Sequence, residues 1–223
     1  ADVPIVGDVR DIIAKLVAEL RHQQEGRGVP DREAWLRTLA SWKERYPLRY
    51  EQPDDGLLKP QFAVDRLREL TEGDAIVVAG VGQHQMWASQ FWRFEEPRTW
   101  INSGGLGTMG FAVPAALGAK AGRPDRRVVA IDGDGCFQMT AQELATSTTE
   151  NIPFITAIMN NAYLGMVRQW QELFYKERYS QVYLTHDTPD YVKLAEAYGA
   201  VGLRAEHADE VDAVIEKALS VQD

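Results

Sequence analysis

Asp132-Gly133-Asp134-Gly135-Cys136-Phe137 at one end and Met159-Asn160-Asn161 at the other bound the stretch that decides the fold. The apolar run Arg127-Val128-Val129-Ala130-Ile131 leads into the first end, and Pro153-Phe154-Ile155-Thr156-Ala157-Ile158-Met159 into the second. Both runs are short, rich in β-branched residues and bounded by turn formers, the pattern of buried parallel strands. Between them, Gln142-Glu143-Leu144-Ala145-Thr146 predicts a crossover helix. The two ends therefore belong to one βαβ unit, with Asp134 and Asn161 just past the carboxyl ends of its strands. Open α/β sheets bind their ligands there.

The residue types at those ends carry a chemistry. A carboxylate and a carboxamide oxygen are hard ligands suited to Mg²⁺, which takes one or two protein oxygens and completes its octahedron with phosphates and water. Gly133 and Gly135 let the backbone approach a phosphate closely. The implied ligand is a diphosphate held through a divalent cation; the plain alternative is a strand-end turn.

Outward from this unit, the chain alternates. Pro60 opens a helix with Phe62, Leu67 and Leu70 on one face, ending at Thr71. Asp74 to Gly80 reads as a buried strand, followed by the loop Gly80-Val81-Gly82-Gln83-His84-Gln85 and a helix through Met86, Trp87 and Phe91. Trp100-Ile101 is a short strand, and Ser103-Gly104-Gly105-Leu106-Gly107-Thr108-Met109-Gly110 a glycine-rich loop opening a helix from Phe111 to Ala121. After the central unit come a helix from Tyr163 to Tyr175, a loop from Tyr179 to Pro189, a helix from Asp190 to Tyr198, a strand from Ala200 to Leu203 and a last helix from Asp209 to Leu219. So regular an alternation predicts an α/β fold, a parallel sheet flanked by helices on both faces.

The N-terminal part reads differently. Val3-Pro4-Ile5-Val6 predicts a short strand, and Asp8 caps a helix with Val9, Ile12, Ile13, Leu16, Val17 and Leu20 at helical spacing. Residues 21–30 read as loop, and Asp31 to Tyr46 as a second helix with Trp35, Leu39 and Trp42 on one face. Pro53-Asp54-Asp55-Gly56 marks a linker. Residues 1–55 are thus expected to be the end of a preceding central domain plus a helical appendage, and 56–223 a diphosphate-binding domain.

A formal net charge of −9 over 223 residues argues against nucleic acid and anionic membranes as partners. No apolar run is long enough to span a bilayer. One cysteine, Cys136, rules out an internal disulfide and fits a reducing, cytoplasmic setting. It is no candidate nucleophile, since no base lies near it in sequence.

Gly-Asp-Gly followed by Asn-Asn at this spacing resembles the thiamine diphosphate (ThDP) motif. Gly82-Gln83-His84-Gln85-Met86-Trp87 and Leu164-Gly165-Met166-Val167-Arg168-Gln169-Trp170-Gln171 are similar to the acetolactate (acetohydroxyacid) synthase group of those enzymes, and the likeness runs from about Val3 to Leu219. The resemblance implies that Asp134, the Asn161 side chain and the Tyr163 carbonyl bind Mg²⁺. It implies that Gly133, Gly135 and Cys136 approach the diphosphate, and that Gly82, Gln83 and His84 line it, with Val81 nearer the aminopyrimidine. Gly107 would give its carbonyl to that ring's amine, and Met109 would wedge between the two rings of the cofactor. Leu164, Gly165 and Met166 complete the cofactor set, and Met166 and Trp170 would line a substrate channel. For Met109, and for Met166 with Trp170, the plain alternative is core packing.

The implied activity is decarboxylation of pyruvate and condensation with a second 2-keto acid, pyruvate or 2-ketobutyrate, in branched-chain amino-acid biosynthesis. The family also carries FAD, mostly in the preceding domain. It works as a homodimer or homotetramer, in places with a small regulatory subunit. Its catalytic glutamate comes from an N-terminal domain that no stretch here resembles, so the chain alone is expected to be inactive. A further strand is implied after the last helix, and the sequence reads as cut at both ends. Another ThDP decarboxylase, carboligase or oxidase, or a non-catalytic Mg-diphosphate module, remains an alternative.

Overall fold

The structure, a computed structural model, describes residues 2–28, 30–54, 56–184 and 189–221. The chain forms two compact units, Ala1–Arg49 and Tyr50–Asp223. Residue 55, where the sequence places the domain boundary, lies outside the described residues, as does the 185–188 part of the loop predicted before Pro189.

The first unit holds α1 (Val9–Arg27) and α2 (Glu33–Arg45). Asp8 caps α1 as its sequence position predicts, accepting the N–H groups of Arg10 and Asp11 at 3.0 and 3.3 Å. The loop predicted over 21–30 is corrected: α1 runs on to Arg27. Arg21, Gln23, Gln24 and Glu25 lack apolar periodicity but are sound helix formers, and the helix stops where Gly28 adopts φ 73°. The strand predicted at Val3–Val6 does not form, because a strand needs a ladder partner and none reaches it among the described residues. Trp35 and Trp42 pack edge to face, 5.7 Å between centroids, yet both stay exposed.

The second unit is the α/β domain. Its elements are α3 (Pro60–Leu70), β1 (Ile76–Ala79), α4 (Gln83–Phe91), β2 (Trp100–Asn102), α5 (Ala112–Gly122), β3 (Val128–Gly133), α6 (Asp134–Thr140), α7 (Leu144–Thr149), β4 (Ile155–Met159), α8 (Gly165–Phe174), α9 (Tyr191–Ala197) and α10 (Val211–Ser220). The four strands are all parallel, in the order β2-β1-β3-β4. Side chains alternate across the sheet. Val77, Val129 and Ile131 face α3, α4 and α10 through Val64, Leu67, Ala88, Val211 and Ile215. Ile76, Val78, Val128 and Ala130 face α5 through Ala112 and Ala116. Every residue of β1 and β3 is buried, as their unbroken apolar runs require.

Two expectations are corrected here. The crossover does not wait for Gln142: α6 begins at Asp134 itself, and a 3-10 turn over Ala141–Glu143 joins it to α7. Ala200–Leu203 is not a strand. The segment packs close against α9, where a Cβ on Gly202 would meet the Val192 carbonyl oxygen at 2.5 Å, and no strand pairs with it among the described residues.

Candidate functional site

Register brings four loops to one edge of the sheet. Ala79 pairs with Ile131 and Asn102, and Gly133 with Met159. The segments after these strands, 80–82, 103–110, 134–136 and 160–164, therefore leave the sheet side by side. Strand order reverses between β1 and β3, since β1 leads outward to β2 while β3 lies on its other flank. That is the switch point where open sheets form a crevice, and the loops of β1 and β3 supply its two walls.

Asp134 is buried at the start of α6. Its Oδ1 accepts the Gly135 N–H at 2.9 Å, and its Oδ2 accepts the Ala162 N–H at 2.8 Å, from the loop after β4. The sequence pair is thus joined in space through the residue beside Asn161. Ala162 sits at φ 59°, a conformation non-glycine residues seldom adopt, and Asp134 helps to hold it there. Asn161 Oδ1 accepts the Tyr163 N–H at 3.0 Å. A second loop closes on this turn: Leu164 donates to the Val182 carbonyl and Leu184 to the Ala162 carbonyl, each at 2.8 Å, around a Tyr163–Tyr183 bridge.

Burial, the largest influence, raises the Asp134 carboxyl above its ordinary value, against the backbone N–H groups that favour its charge. A buried carboxylate in this state gains most from a cation. Asp134 and the turn at Asn161 and Tyr163 offer only oxygen donors, the hard type that Mg²⁺ takes and a thiophilic metal does not.

Gly135 is a meeting point. A Cβ on it would approach Leu164 Cδ2 at 2.9 Å, Leu184 Cδ1 at 3.1 Å and Met109 Cε at 3.2 Å. Met109, Leu164 and Gly135, widely separated in sequence, are thus brought together; Leu184 was not foreseen. A Cβ on Gly107, at φ 66°, would lie 3.9 Å from Val81 Cγ1, so these two sites also converge.

Gln83 Nε2 donates to Gln169 Oε1 at 3.0 Å, tying α4 to α8, and the Gln83 Oε1 occupies the place a Cβ on Gly165 would take. Beside them lies a cleft of about 140 Å³ lined by Gln83, Asn161, Tyr163, Gly165, Arg168, Gln169 and Glu172. The Arg168 guanidinium stacks over the Tyr163 ring, 4.4 Å from its centroid, and faces Tyr179 at 5.3 Å. Met166 and Trp170 do not line this cleft. Trp170 is 55% exposed and tilts against Phe174, 5.0 Å between centroids, so the core-packing alternative does not describe it. Gln169 and Arg168 went unassigned in the sequence because a lone amide or guanidinium on a polar helix face carries no signal until its partner is placed.

Behind the crevice, His84 is buried against Asp132, Nε2 to Oδ1 3.4 Å, an ion-pair distance without hydrogen-bond geometry. Glycine backbone comes close to this pair: a Cβ on Gly80 would collide with Asp132, and one on Gly133 would sit 2.8 Å from His84 Nδ1. Burial, the largest influence, disfavours the imidazolium; Asp132 and Cys136 outweigh it, and His84 is pushed up to about 9. Cys136 Sγ donates to the Val81 carbonyl at 3.0 Å.

Comparison with known proteins identifies the family that carries this fold. The family described as thiamine pyrophosphate enzyme, C-terminal TPP binding domain, matches residues 80–223. Acetolactate synthase of Mycobacterium bovis is 56% identical over 226 residues, covering 100% of this chain and 36% of that protein. Acetolactate synthase large subunit of Corynebacterium glutamicum is 52% identical over 225 residues, with coverage of 100% and 36%. Acetolactate synthase isozyme 3 large subunit of Escherichia coli is 43% identical over 219 residues, covering 98% and 38%. The chain spans little more than a third of the length of these relatives. All four loops of the crevice fall inside the matched residues, and the chain belongs to the thiamine pyrophosphate enzymes, of which it carries the C-terminal TPP-binding domain.

Proposed function

We propose that this domain serves an acetolactate synthase catalytic subunit. It would hold ThDP and Mg²⁺ for the decarboxylative condensation of pyruvate with a second 2-keto acid, pyruvate or 2-ketobutyrate. The observation that carries the reading is the bond from Ala162 N–H to Asp134 Oδ2. It ties the loop that carries Asn161 and Tyr163 to Asp134, which supports a shared site, and the relatives named above support the choice of reaction. Asp134, Asn161 and the Tyr163 carbonyl hold the cation. The backbone at Gly133, Gly135 and Cys136, with Gly82, Gln83 and His84, receives the diphosphate. Gly107, Val81 and Met109 position the aminopyrimidine end, with Leu164, which meets Met109 at Gly135, and Gly165 and Met166 completing the set. ThDP, when bound, supplies the electron sink for decarboxylation. The chain's own part is to orient that group, neutralise its phosphates and keep water from the apolar side formed by Met109 and Leu164. FAD, a homodimeric or homotetrameric assembly and a small regulatory subunit belong to the same reading.

The test uses the full-length enzyme with pyruvate, ThDP and Mg²⁺ and identifies the product. Acetolactate is expected; acetaldehyde, or peroxide with acetyl phosphate, would move the chain to another ThDP activity. ThDP binding without turnover would leave a binding module.

Two substitutions probe the walls. Gln169→Ala removes the acceptor that holds the Gln83 amide, and one neutral hydrogen bond is worth about 1 kcal/mol. ThDP affinity is expected to fall about fivefold, with Gln169→Glu restoring most of it; equal affinity in all three proteins would make the bridge idle. Trp170→Leu removes a broad stacking surface outside the cation site. The ratio of products from pyruvate alone and from pyruvate with 2-ketobutyrate is expected to shift several-fold, at nearly constant ThDP affinity. A loss of stability with unchanged product ratio would show that Trp170 only packs.

A further inference from the structure

We propose that His84, Asp132 and Cys136 form a second cation site, for a thiophilic divalent metal of the Zn²⁺ class, directly behind the oxygen site at Asp134. One imidazole nitrogen, one carboxylate oxygen and one sulfur lie within 4.8 Å of one another. Ligand atoms around tetrahedral Zn²⁺, with bonds of about 2.0–2.3 Å, stand roughly 3.3–3.8 Å apart. His84 Nε2 and Asp132 Oδ1 already stand at 3.4 Å.

Independent support comes from unmet bonding capacity. His84 Nε2 and Asp132 Oδ2 are buried without any hydrogen-bond partner, in residues only 6% and 0% exposed. Buried polar atoms are nearly always paired, and two unpaired atoms on residues that already touch point to a missing partner. Cys136 adds the third donor, and its present bond to the Val81 carbonyl is the weak one a thiol makes. The Val81 carbonyl or a water can fill the fourth position. Gly80 and Gly133 admit the ring and the carboxylate to the same small space.

The charges balance. On metal binding the imidazole and the thiol each release a proton to solvent, and the dication then meets one carboxylate and one thiolate around a neutral ring. Mixed nitrogen, sulfur and oxygen donors favour Zn²⁺ or Cd²⁺, whereas the all-oxygen set beside them favours Mg²⁺. The two neighbouring sites would thus sort cations by hardness. If the reading of the crevice given above holds, a metal in the inner site takes the His84 side chain away from the diphosphate, and Zn²⁺ antagonises ThDP.

The experiment uses the full-length protein stripped of metal and cofactor, with Co²⁺ as the spectroscopic probe. One equivalent is expected to give a thiolate-to-cobalt charge-transfer band that Zn²⁺ bleaches and excess Mg²⁺ does not. Cys136→Ser, which keeps size and burial, should abolish the band and weaken Zn²⁺ binding about tenfold or more. Asp132→Asn should weaken Zn²⁺ binding while leaving the band attainable at higher cobalt. No band in the wild type, or equal Zn²⁺ affinity in the wild type and Cys136→Ser, overturns the site. Mg²⁺-dependent ThDP binding is measured separately in the same preparations. Its absence with the cobalt band intact would sink the proposed function and leave the metal site standing.

Discussion

Asp134→Ala is expected to abolish Mg²⁺-dependent ThDP binding in the full-length enzyme, a loss of at least about 100-fold in affinity. Groups that merely orient a metal ligand are worth 10–100-fold, and a direct anionic ligand is worth no less. The same change removes the acceptor of the Ala162 N–H. Ala162, no longer held at φ 59°, is then free to relax toward ordinary backbone and carry Asn161 with it. Asp134→Asn keeps more of the local structure, since its amide oxygen can still accept the Ala162 N–H while its NH₂ then faces the Gly135 N–H and the charge is gone. Calorimetric titration should find cofactor binding lost in both variants, with the fold better kept in Asp134→Asn. An Asp134→Asn protein that binds ThDP as tightly as the wild type would remove Asp134 from the metal.

Gly80→Ala is expected to carry the largest stability cost of any single methyl group added to the sheet edge. The new Cβ would collide with Asp132 Oδ1 and stand 2.9 Å from His84 Nε2, both buried and neither at the free end of a flexible chain. Relief requires Asp132 to move, which breaks its bond to the Gly133 N–H at 3.1 Å. Overpacking and the lost bond together predict about 2–3 kcal/mol, read as a lower urea midpoint. Gly118→Ala is the control. Nothing lies within 4 Å of its added methyl, it sits inside α5, and helix propensity predicts a gain of up to about 1 kcal/mol. Equal midpoints for Gly80→Ala and the wild type would show that the wall behind His84 is softer than its packing implies.

The sheet was readable because its central strands are buried on both faces: Val77-Val78 and Val128-Val129-Ala130-Ile131 have no polar position to obscure them. Asp134 and Asn161 stood out because they follow two strands the sequence already joins in one βαβ unit, and the structure brings their loops together through the Ala162 N–H. Contacts between distant segments were not readable. Leu184 reaches Gly135 from a loop without periodicity, Gln169 matters only through Gln83, and the unmet bonds of His84 and Asp132 exist only once two glycine backbones close around them. Local signals failed where partners decide. Ala200–Leu203 has strand composition but no ladder among the described residues, and Arg21–Arg27 lacks an apolar period but continues a helix already begun.

The loop pairing at Leu164–Val182 and Ala162–Leu184 has a consequence for biosynthesis of the protein itself. The crevice is stitched by contacts 28, 55 and 86 residues apart, and its last stitch comes from Leu184. Non-local closure of this kind is slow compared with helix formation. All four strands end by Met159, so a chain emerging from the ribosome can pair its sheet before Leu184 arrives to close the crevice, and competence should arrive late. A ribosome-stalled series should show ThDP protection from proteolysis only after the segment through Leu184 has cleared the exit tunnel.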